Sequence, residues 1–186
     1  MSRISADVAE VLRTGLLDPA VVSRYWAFVT PPTAQGCRLW TGAVSGRGHA
    51  RFWVGRRPDG RDAVVLGHRF AWGLRHGYDH LAQVATVRHY RCDNPLCQNT
   101  EHLRAGTNAD NAHDWSTRRT TVGSPLRDTR GSLGRALAIR AAARASTIPT
   151  DADASGAWAV ELVTAAADAG LSQLDRDQPP LLALPG

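Results

Sequence analysis

The chain has 186 residues, long enough for one ordinary domain with appendages, and 43% of them are hydrophobic. No run approaches the ~18 apolar residues that span a bilayer, and the first residues lack the apolar core of a secretory signal. Three cysteines, an odd number, argue against a secreted disulfide framework. We therefore expect a cytoplasmic protein that contacts no membrane.

The charge of the chain is carried by arginine alone on the basic side. Its net charge is +5, and all 22 basic residues are arginines. The planar guanidinium fork matches phosphate oxygens, so the composition is compatible with a nucleic-acid partner. Many proteins of this charge bind no nucleic acid, so charge alone does not decide the question.

Two short helices are predicted in an N-terminal helical segment, residues 1–35. Ser5 can cap the first helix, and Gly15 is placed to end it. Asp18 followed by proline is a start signal for the second, because proline is favoured at the first helical position. The residues expected on one face of this second helix are Val22, Trp26 and Val29.

From residue 36 the pattern becomes typical of strands. Segments 37–41 and 50–54 flank a glycine-rich turn, which predicts a hairpin between them. A second turn, around Asp59, leads into a strand at 63–66. Arginines on these strands and turns would contact phosphates if DNA lay along the sheet, although a solvated surface explains each of them equally well. They are Arg47, Arg51, Arg56, Arg57 and Arg61.

Residues 68–77 predict a short helix with Gly77 beyond its end. His68 has two interpretations here, as a buried partner of a functional site or as no more than a residue at the helix start. The apolar residues expected in the core are Phe70, Trp72 and Leu74.

The pattern C-x4-C-x4-H at Cys92, Cys97 and His102 predicts a metal site. Thiolate and imidazole donors at short spacing suit tetrahedral zinc, which needs four ligands. The chain has one other cysteine, Cys37, and three cysteines with one histidine make a complete structural site. A small domain gains folding free energy directly from such a metal.

The residues around this pattern resemble the HNH, or His-Me finger, endonucleases of the phage-type or His-Cys-box homing branch. The resemblance covers roughly residues 36–119, and the signature reads CDNPLCQNTEHLRAGTNADN. The residues that carry it are His89, Cys92, Cys97, Asn99, His102 and Asn111. It implies a small ββα-metal core whose zinc is structural and whose upstream cysteine is Cys37.

The resemblance also implies the chemistry of a phosphodiester hydrolase acting on double-stranded DNA. His89 would be the general base and Asn111 the ligand of a catalytic Mg²⁺, for which Mn²⁺ could substitute. Asn99 would brace the loop through backbone hydrogen bonds, and Arg51 would lie near the scissile phosphate. A neutral imidazole suits the base, and a hard divalent ion suits the developing oxyanion. The product would carry a 5′ phosphate and a 3′ hydroxyl.

One departure from the family pattern lies just before the first of the paired cysteines. Tyr90 and Arg91 separate His89 from Cys92, where most relatives have one residue. A bulge would absorb the insertion and aim His89 into the site, whereas without it Tyr90 would occupy the position of the base. Many relatives also have an acidic metal ligand where this chain has Arg88, which leaves Asn111 as the main protein ligand.

Asn111 is expected on a helix from Asn108 to about Arg118. Thr107 and Asp110 resemble a capping box at its start. Trp115 is expected in the core of the protein. His113 and Asp114 could reach the metal or face solvent.

The remainder of the chain, residues 120–186, is expected to be a basic linker and helix followed by a helical extension. Arg118 and Arg119 open a run of seven arginines with one aspartate in residues 115–144, and the charge then becomes acidic. Such a basic segment suits a phosphate footprint. One helical face is expected to carry Trp158, Leu162, Ala165 and Ala169.

The sequence thus predicts an α+β protein in three parts, residues 1–35, 36–119 and 120–186, that cuts or nicks DNA. A phage or mobile-element context would fit, and the C-terminal part could serve in a homodimer or shield the basic segment. Two alternatives stay open. One is a catalytically impaired, zinc-stabilised DNA-binding protein, and the other is a zinc-held interaction domain without DNA.

Overall fold

The computed structural model describes residues 5–146 and 155–177, which mix short strands with helices. Its six strands form three two-stranded antiparallel sheets: β1 (Val29–Pro32) with β2 (Arg38–Trp40), β3 (Arg51–Arg56) with β4 (Asp62–Leu66), and β5 (Thr86–Arg88) with β6 (Arg104–Gly106). The helices are α1 (Ala6–Gly15), α2 (Pro19–Trp26), α3 (Gly67–His76), α4 (Tyr78–Gln83), α5 (Asn108–Arg118), α6 (Gly131–Ser146), α7 (Ser155–Asp168) and α8 (Gln173–Arg176). The predicted α+β class is confirmed. Among the described residues, no helix is both long and apolar enough for a membrane span.

The two N-terminal helices begin as their caps predict, but the second one buries another face. The Asp18 carboxylate accepts the Ala20 amide at 2.8 Å. Val21 and Tyr25 are the buried residues of α2, while Trp26 is exposed and ends the helix. The expected face of Val22, Trp26 and Val29 is wrong, because α2 has only eight residues and Val29 already belongs to β1.

The predicted hairpin between segments 37–41 and 50–54 is also wrong, whereas the turn around Asp59 and the strand after it are confirmed. β2 pairs with β1 and not with β3, so the β1–β2 sheet spans the expected boundary at residue 36. The glycine-rich segment 42–48 is a loop that makes one isolated bridge, between Val44 and Ala50. β3 and β4 pair as a hairpin across the turn expected around Asp59, with an irregularity between Trp53 and Gly55.

An aromatic cluster fills the centre of the core. Tyr25, Trp40, Phe52 and Phe70 are almost fully buried, and the Tyr25 ring lies 4.8 to 5.5 Å from the other three. Burying each such ring stabilises the fold by roughly 1.5–3 kcal/mol. The Tyr25 hydroxyl donates to the Gln98 side-chain oxygen at 2.8 Å, which anchors the loop of the predicted metal site to this core.

The C-terminal helices pack on the same core. α6 buries Ala136, Ile139 and Ala143, and a Cβ at Gly48 would lie 2.7 Å from the Ala136 Cβ. A glycine with φ +81° at position 48 therefore lets the loop approach the helix.

Two arginines of the basic segment act inside the protein. Arg135 is buried, where it pairs with Asp128 and donates to the Ala167 carbonyl. Arg140 donates to the Gly42 carbonyl at 3.1 Å. These two guanidinium groups hold the helices to the core and are not arranged as a phosphate footprint.

The expected apolar face of α7 is wrong as well. Leu162, Ala165 and Ala169 are exposed, whereas Val163 and Ala167 pack against the core. The side chain of Trp158 lies outside the described residues.

Asp175 fastens the last helix to the loop before α6. Its carboxylate accepts hydrogen bonds from the Ser172 hydroxyl, the Gly123 amide and the Arg127 guanidinium. These contacts lower its pKa to about 2, from an ordinary value of 3.8. Because the folded-state pKa is the lower one, the stabilisation is complete above about pH 4 and is lost as the pH falls toward 2.

We therefore predict that Asp175→Asn lowers the urea midpoint of unfolding at neutral pH, and that the gap from the wild type narrows between about pH 4 and pH 2. Asp177→Asn is the matched control, since Asp177 is exposed and accepts one bond from Gln173. A gap of constant size across this pH range would contradict the assignment.

Candidate functional site

The three cysteines and His102 come together in one buried cluster. Their donor atoms all lie within 4.8 Å of one another. The His102 Nδ1 atom is 3.6 Å from the Cys37 sulfur and 3.5 Å from the Cys97 sulfur. Tetrahedral zinc with bonds of about 2.3 Å to sulfur and 2.0–2.1 Å to nitrogen separates such atoms by about 3.6 Å. The group could therefore bind a metal such as zinc.

Cys37 reaches the cluster because β2, which follows it, hydrogen-bonds to the loop that carries the other ligands. The Trp40 amide donates to the Leu96 carbonyl at 2.9 Å, and the Gln98 amide donates to the Arg38 carbonyl at 2.7 Å. These two hydrogen bonds bring Cys37 close to Cys97, although the two cysteines are far apart in the sequence.

The ionisation of the three thiols in the cluster would be favoured by a bound cation. Hydrogen bonds from Cys37 and Cys92 lower the pKa of the Cys97 thiol well below its ordinary range. Hydrogen bonding to the other two thiols, together with burial, raises the pKa of the Cys92 thiol well above the ordinary value of a cysteine. Without a metal only one of the sulfurs is readily ionised. A bound divalent cation would stabilise all three thiolates.

Asn99 and Gly36 lie close to His102 and to each other. The Asn99 side chain donates to the Gly36 carbonyl at 2.7 Å and accepts the Glu101 amide at 3.0 Å, which caps the 3₁₀ turn Thr100–His102. These are backbone contacts of the bracing kind expected for Asn99. Gly36 has φ +77°, and a Cβ there would lie 3.3 Å from the Nε2 atom of His102.

His89 follows directly after β5, at the entrance to the cluster loop. It is half-buried, and both of its ring nitrogens are buried without a hydrogen-bond partner in the described part of the protein. Burial, reinforced by the nearby His49, lowers its pKa to about 3. The imidazole is therefore neutral at physiological pH. Buried nitrogens without a hydrogen-bond partner are energetically costly and uncommon. His89 is therefore a candidate residue for binding a ligand or for catalysis.

Two further histidines pack against His89. The His68 ring is 4.8 Å from it, edge-on, and the His49 ring is 5.9 Å away. His68 is 1% exposed, and its Nδ1 atom also has no hydrogen-bond partner within residues 5–146 and 155–177. Of the two interpretations of His68, the structure supports the buried neighbour of the candidate site. Sequence reasoning missed His49, which stands in a glycine-rich loop with no motif to mark it.

The Tyr90-Arg91 insertion produces no bulge. β5 and β6 pair in regular register, ending at Arg88 opposite Arg104. The additional residue is taken up in the following turn, where the His89 carbonyl accepts the Asp93 amide and Asp93 has φ +44°. Tyr90 does not replace His89, because its ring lies under the Arg104 guanidinium at 4.3 Å.

Helix α5 is held by polar contacts. The capping box forms between Thr107 and Asp110, as the sequence predicts. Arg88 pairs with Asp114, which leaves that carboxylate engaged, and Arg118 pairs with Asp93 at 3.0 Å.

None of the residues of α5 is buried, and Asn111 is exposed in its first turns. The expectation that Trp115 lies in the core is wrong, since it is 52% exposed. His113 is exposed as well. The face of the helix that carries Asn111 is thus open to solvent.

The arginines expected to contact DNA fall into two groups. Four of them lie beside acidic groups: Arg56 near Asp62, Arg57 and Arg61 at Asp59, and Arg118 at Asp93. Three are exposed and, within the described residues, form no ion pair: Arg47, Arg51 and Arg119. Arg51 and Trp53 line a shallow groove on the β3–β4 hairpin.

Comparison with known proteins finds two relatives in Escherichia phage T7. Protein 7.7 is 34% identical over 84 residues, which is 45% of this chain and 58% of that protein. Protein 2.8 is 37% identical over 82 residues, 44% of this chain and 50% of that protein. The chain thus spans about half the length of the curated relatives it matches. No protein-family model and no solved structure matches it.

We predict that the purified protein contains about one zinc ion per chain and that Cys37→Ser retains much less of it, because three donors cannot close a tetrahedron. Removing the metal with a chelator should lower the melting temperature, since its binding free energy is part of the folding free energy. Elemental analysis and thermal unfolding monitored by circular dichroism provide the measurements. Full zinc occupancy in the serine variant would exclude Cys37 as a ligand.

A second prediction separates backbone strain from contact with His102. Gly36→Ala and Gly60→Ala place a Cβ at nearly the same φ, +77° and +78°, but only at position 36 would the Cβ meet His102. Both variants should lose about 1 kcal/mol of stability from strain. Zinc retention against a competing chelator should fall in Gly36→Ala alone, and an equal fall in both would remove the role of this contact.

Proposed function

We propose that this protein is a metal-dependent endonuclease that hydrolyses phosphodiester bonds of double-stranded DNA. The observation that carries the proposal is the His89 imidazole, whose two buried nitrogens have no hydrogen-bond partner among the residues that the structure describes. It lies at the end of β5, in a β5–β6–α5 succession that follows the order expected of a ββα-metal core. Similarity to two phage T7 proteins fits a phage or mobile-element context, although their names state no activity.

In this proposal the Cys37, Cys92, Cys97 and His102 cluster binds structural zinc and takes no part in the chemistry. Asn111 would hold a catalytic Mg²⁺ or Mn²⁺, with water and phosphate oxygens completing the shell. Its carboxamide is exposed and offers the oxygen donor that such hard ions prefer. When bound, the ion supplies Lewis-acid stabilisation of the leaving oxygen.

The side chains of the protein would provide the base and the orientation. A neutral His89 can accept the proton of the attacking water at a ring nitrogen. The neighbouring His68 and His49 rings limit the motion of the His89 ring. Exposed arginines, Arg51 and Arg47 among them, would bind the DNA backbone.

A specific observation favours the alternative of a catalytically impaired, zinc-stabilised DNA-binding protein. The His89 nitrogens are closed to solvent, and a pKa of about 3 makes the ring a weak base. The endonuclease proposal therefore requires DNA binding to open a path to this ring. Binding without cleavage would select the alternative.

We predict that the wild-type protein nicks or cuts supercoiled plasmid in Mg²⁺ or Mn²⁺, and that His89→Ala reduces the rate by about 10²–10⁴-fold, the usual contribution of a general base. Asn111→Ala should also be impaired, and Asn111→Asp should retain more activity because it keeps an oxygen ligand.

His113→Ala provides the control, because His113 is an exposed histidine on α5, the helix that carries Asn111. It should cleave at the wild-type rate. Agarose gels scored over time give the rates, and equal cleavage by wild type and His89→Ala would exclude His89 as the base.

A further inference from the structure

Two arginines beside the candidate catalytic residues are stacked on aromatic rings. The Arg119 guanidinium lies over the Trp115 ring at 4.5 Å, and the Arg104 guanidinium lies over the Tyr90 ring at 4.3 Å. Both arginines are exposed. We refer to these two contacts as the stacked-arginine pairs.

The stacked-arginine pairs differ from their neighbours in having no acidic partner in the described part of the chain. Arg88 and Arg118, close to them in sequence, are paired with Asp114 and Asp93. No ion pair engages Arg104 or Arg119 among the residues described. Their positive charges are therefore available to a ligand.

Each pair also stands beside one of the two residues of the candidate reaction. Tyr90 is the neighbour of His89 in the chain. Trp115 is four residues beyond Asn111 on α5, and residues with this spacing share a face of a helix. Trp115 is 52% exposed on a helix that buries none of its residues.

We propose that the stacked-arginine pairs bind backbone phosphates of duplex DNA next to the candidate site. Arg104 and Arg119 contact the phosphates, and Tyr90 and Trp115 are positioning residues that hold the guanidinium planes. The inference rests on the proposed function and gives that site its DNA-orienting contacts.

Charge and geometry both select this ligand. Stacking fixes the plane of a guanidinium and leaves the N–H groups of its edge pointing outward, where they can bind two phosphate oxygens. An arginine that is already ordered loses less rotamer freedom on binding. An unpaired cation on an aromatic platform suits an anionic polymer better than an apolar protein partner.

The inference also assigns a role to the departure from the family pattern. Tyr90 is part of the insertion before Cys92, and its ring provides the platform under Arg104. The insertion thus adds a phosphate contact beside His89 without displacing it.

The test measures affinity for a fluorescent DNA duplex as a function of salt, with every variant made on the full chain carrying His89→Ala and with Ca²⁺ present to prevent cleavage. Arg104→Ala and Arg119→Ala should each weaken binding by on the order of fivefold and lower the salt slope by about one, and the double variant by about two. Trp115→Ala and Tyr90→Ala should weaken binding about two- to fivefold, and Trp115→Phe and Tyr90→Phe should restore it, because the ring face is kept.

Arg13→Ala is the matched control, since the Arg13 guanidinium lies 6.0 Å from the Tyr78 ring centroid but is neutralised by Glu10. Trp26→Ala controls for loss of an exposed tryptophan. Both should keep the wild-type slope, and all variants should keep their zinc content; only Trp26→Ala should lower the melting temperature, because the Trp26 ring packs edge-on against Tyr25 at 5.1 Å.

The outcomes separate this inference from the endonuclease proposal. Unchanged affinity and slope in the arginine variants would overturn the inference, while plasmid cleavage that depends on His89 would leave the enzyme proposal standing. If the arginine variants changed the salt slope but the wild type cleaved no plasmid, the inference would stand and the endonuclease proposal would be wrong. If Trp115→Ala altered only the oligomeric state by gel filtration, the surface would bind a second copy of the chain, and the inference would be wrong.

Discussion

The convergence of three thiols and one imidazole in a buried space 4.8 Å across is the constraint on which the rest of the site depends. The donors come from separate places: the end of a loop before β2, the loop after β5, and a 3₁₀ turn. Crowded, buried thiols resist ionisation together unless a cation compensates their charge. A metal at this point would therefore join segments that also pack on the hydrophobic core and are anchored to it by the hydrogen bond from Tyr25 to Gln98.

The chain connects the residues of the candidate reaction centre to this cluster. His89 enters the cluster loop, and β6 leaves it for the helix that carries Asn111. That helix buries no residue, so its orientation comes from ion pairs of Arg88 and Arg118 and from its capping box. Contacts of this kind fix direction but contribute less to stability than apolar burial. The helix that carries Asn111 is thus connected to β5 through Arg88 and to the loop of Cys92 through Asp93.

The arginines show how a uniform composition is divided by tertiary structure. Arg135 and Arg140 act inside the protein, on carbonyls and a carboxylate, where a lysine could not reproduce the planar fork. Arg88 ties α5 to β5, and Arg118 ties it to Asp93 in the loop that follows β5. Arg104 and Arg119 are exposed and lie over the Tyr90 and Trp115 rings. Net charge alone could not have separated these roles.

The sequence by itself determined the features that depend on short spacing. The capping box at Thr107, the cap at Asp18, the β3–β4 hairpin and the C-x4-C-x4-H pattern are all local, and Cys37 followed because no other cysteine remained. Tertiary structure decided what depends on distant partners: that β2 pairs with β1, that Trp115 is exposed, and that His49 lies beside His89. Such contacts join residues up to tens of positions apart, and no local pattern of side chains encodes which of several short strands or faces will meet.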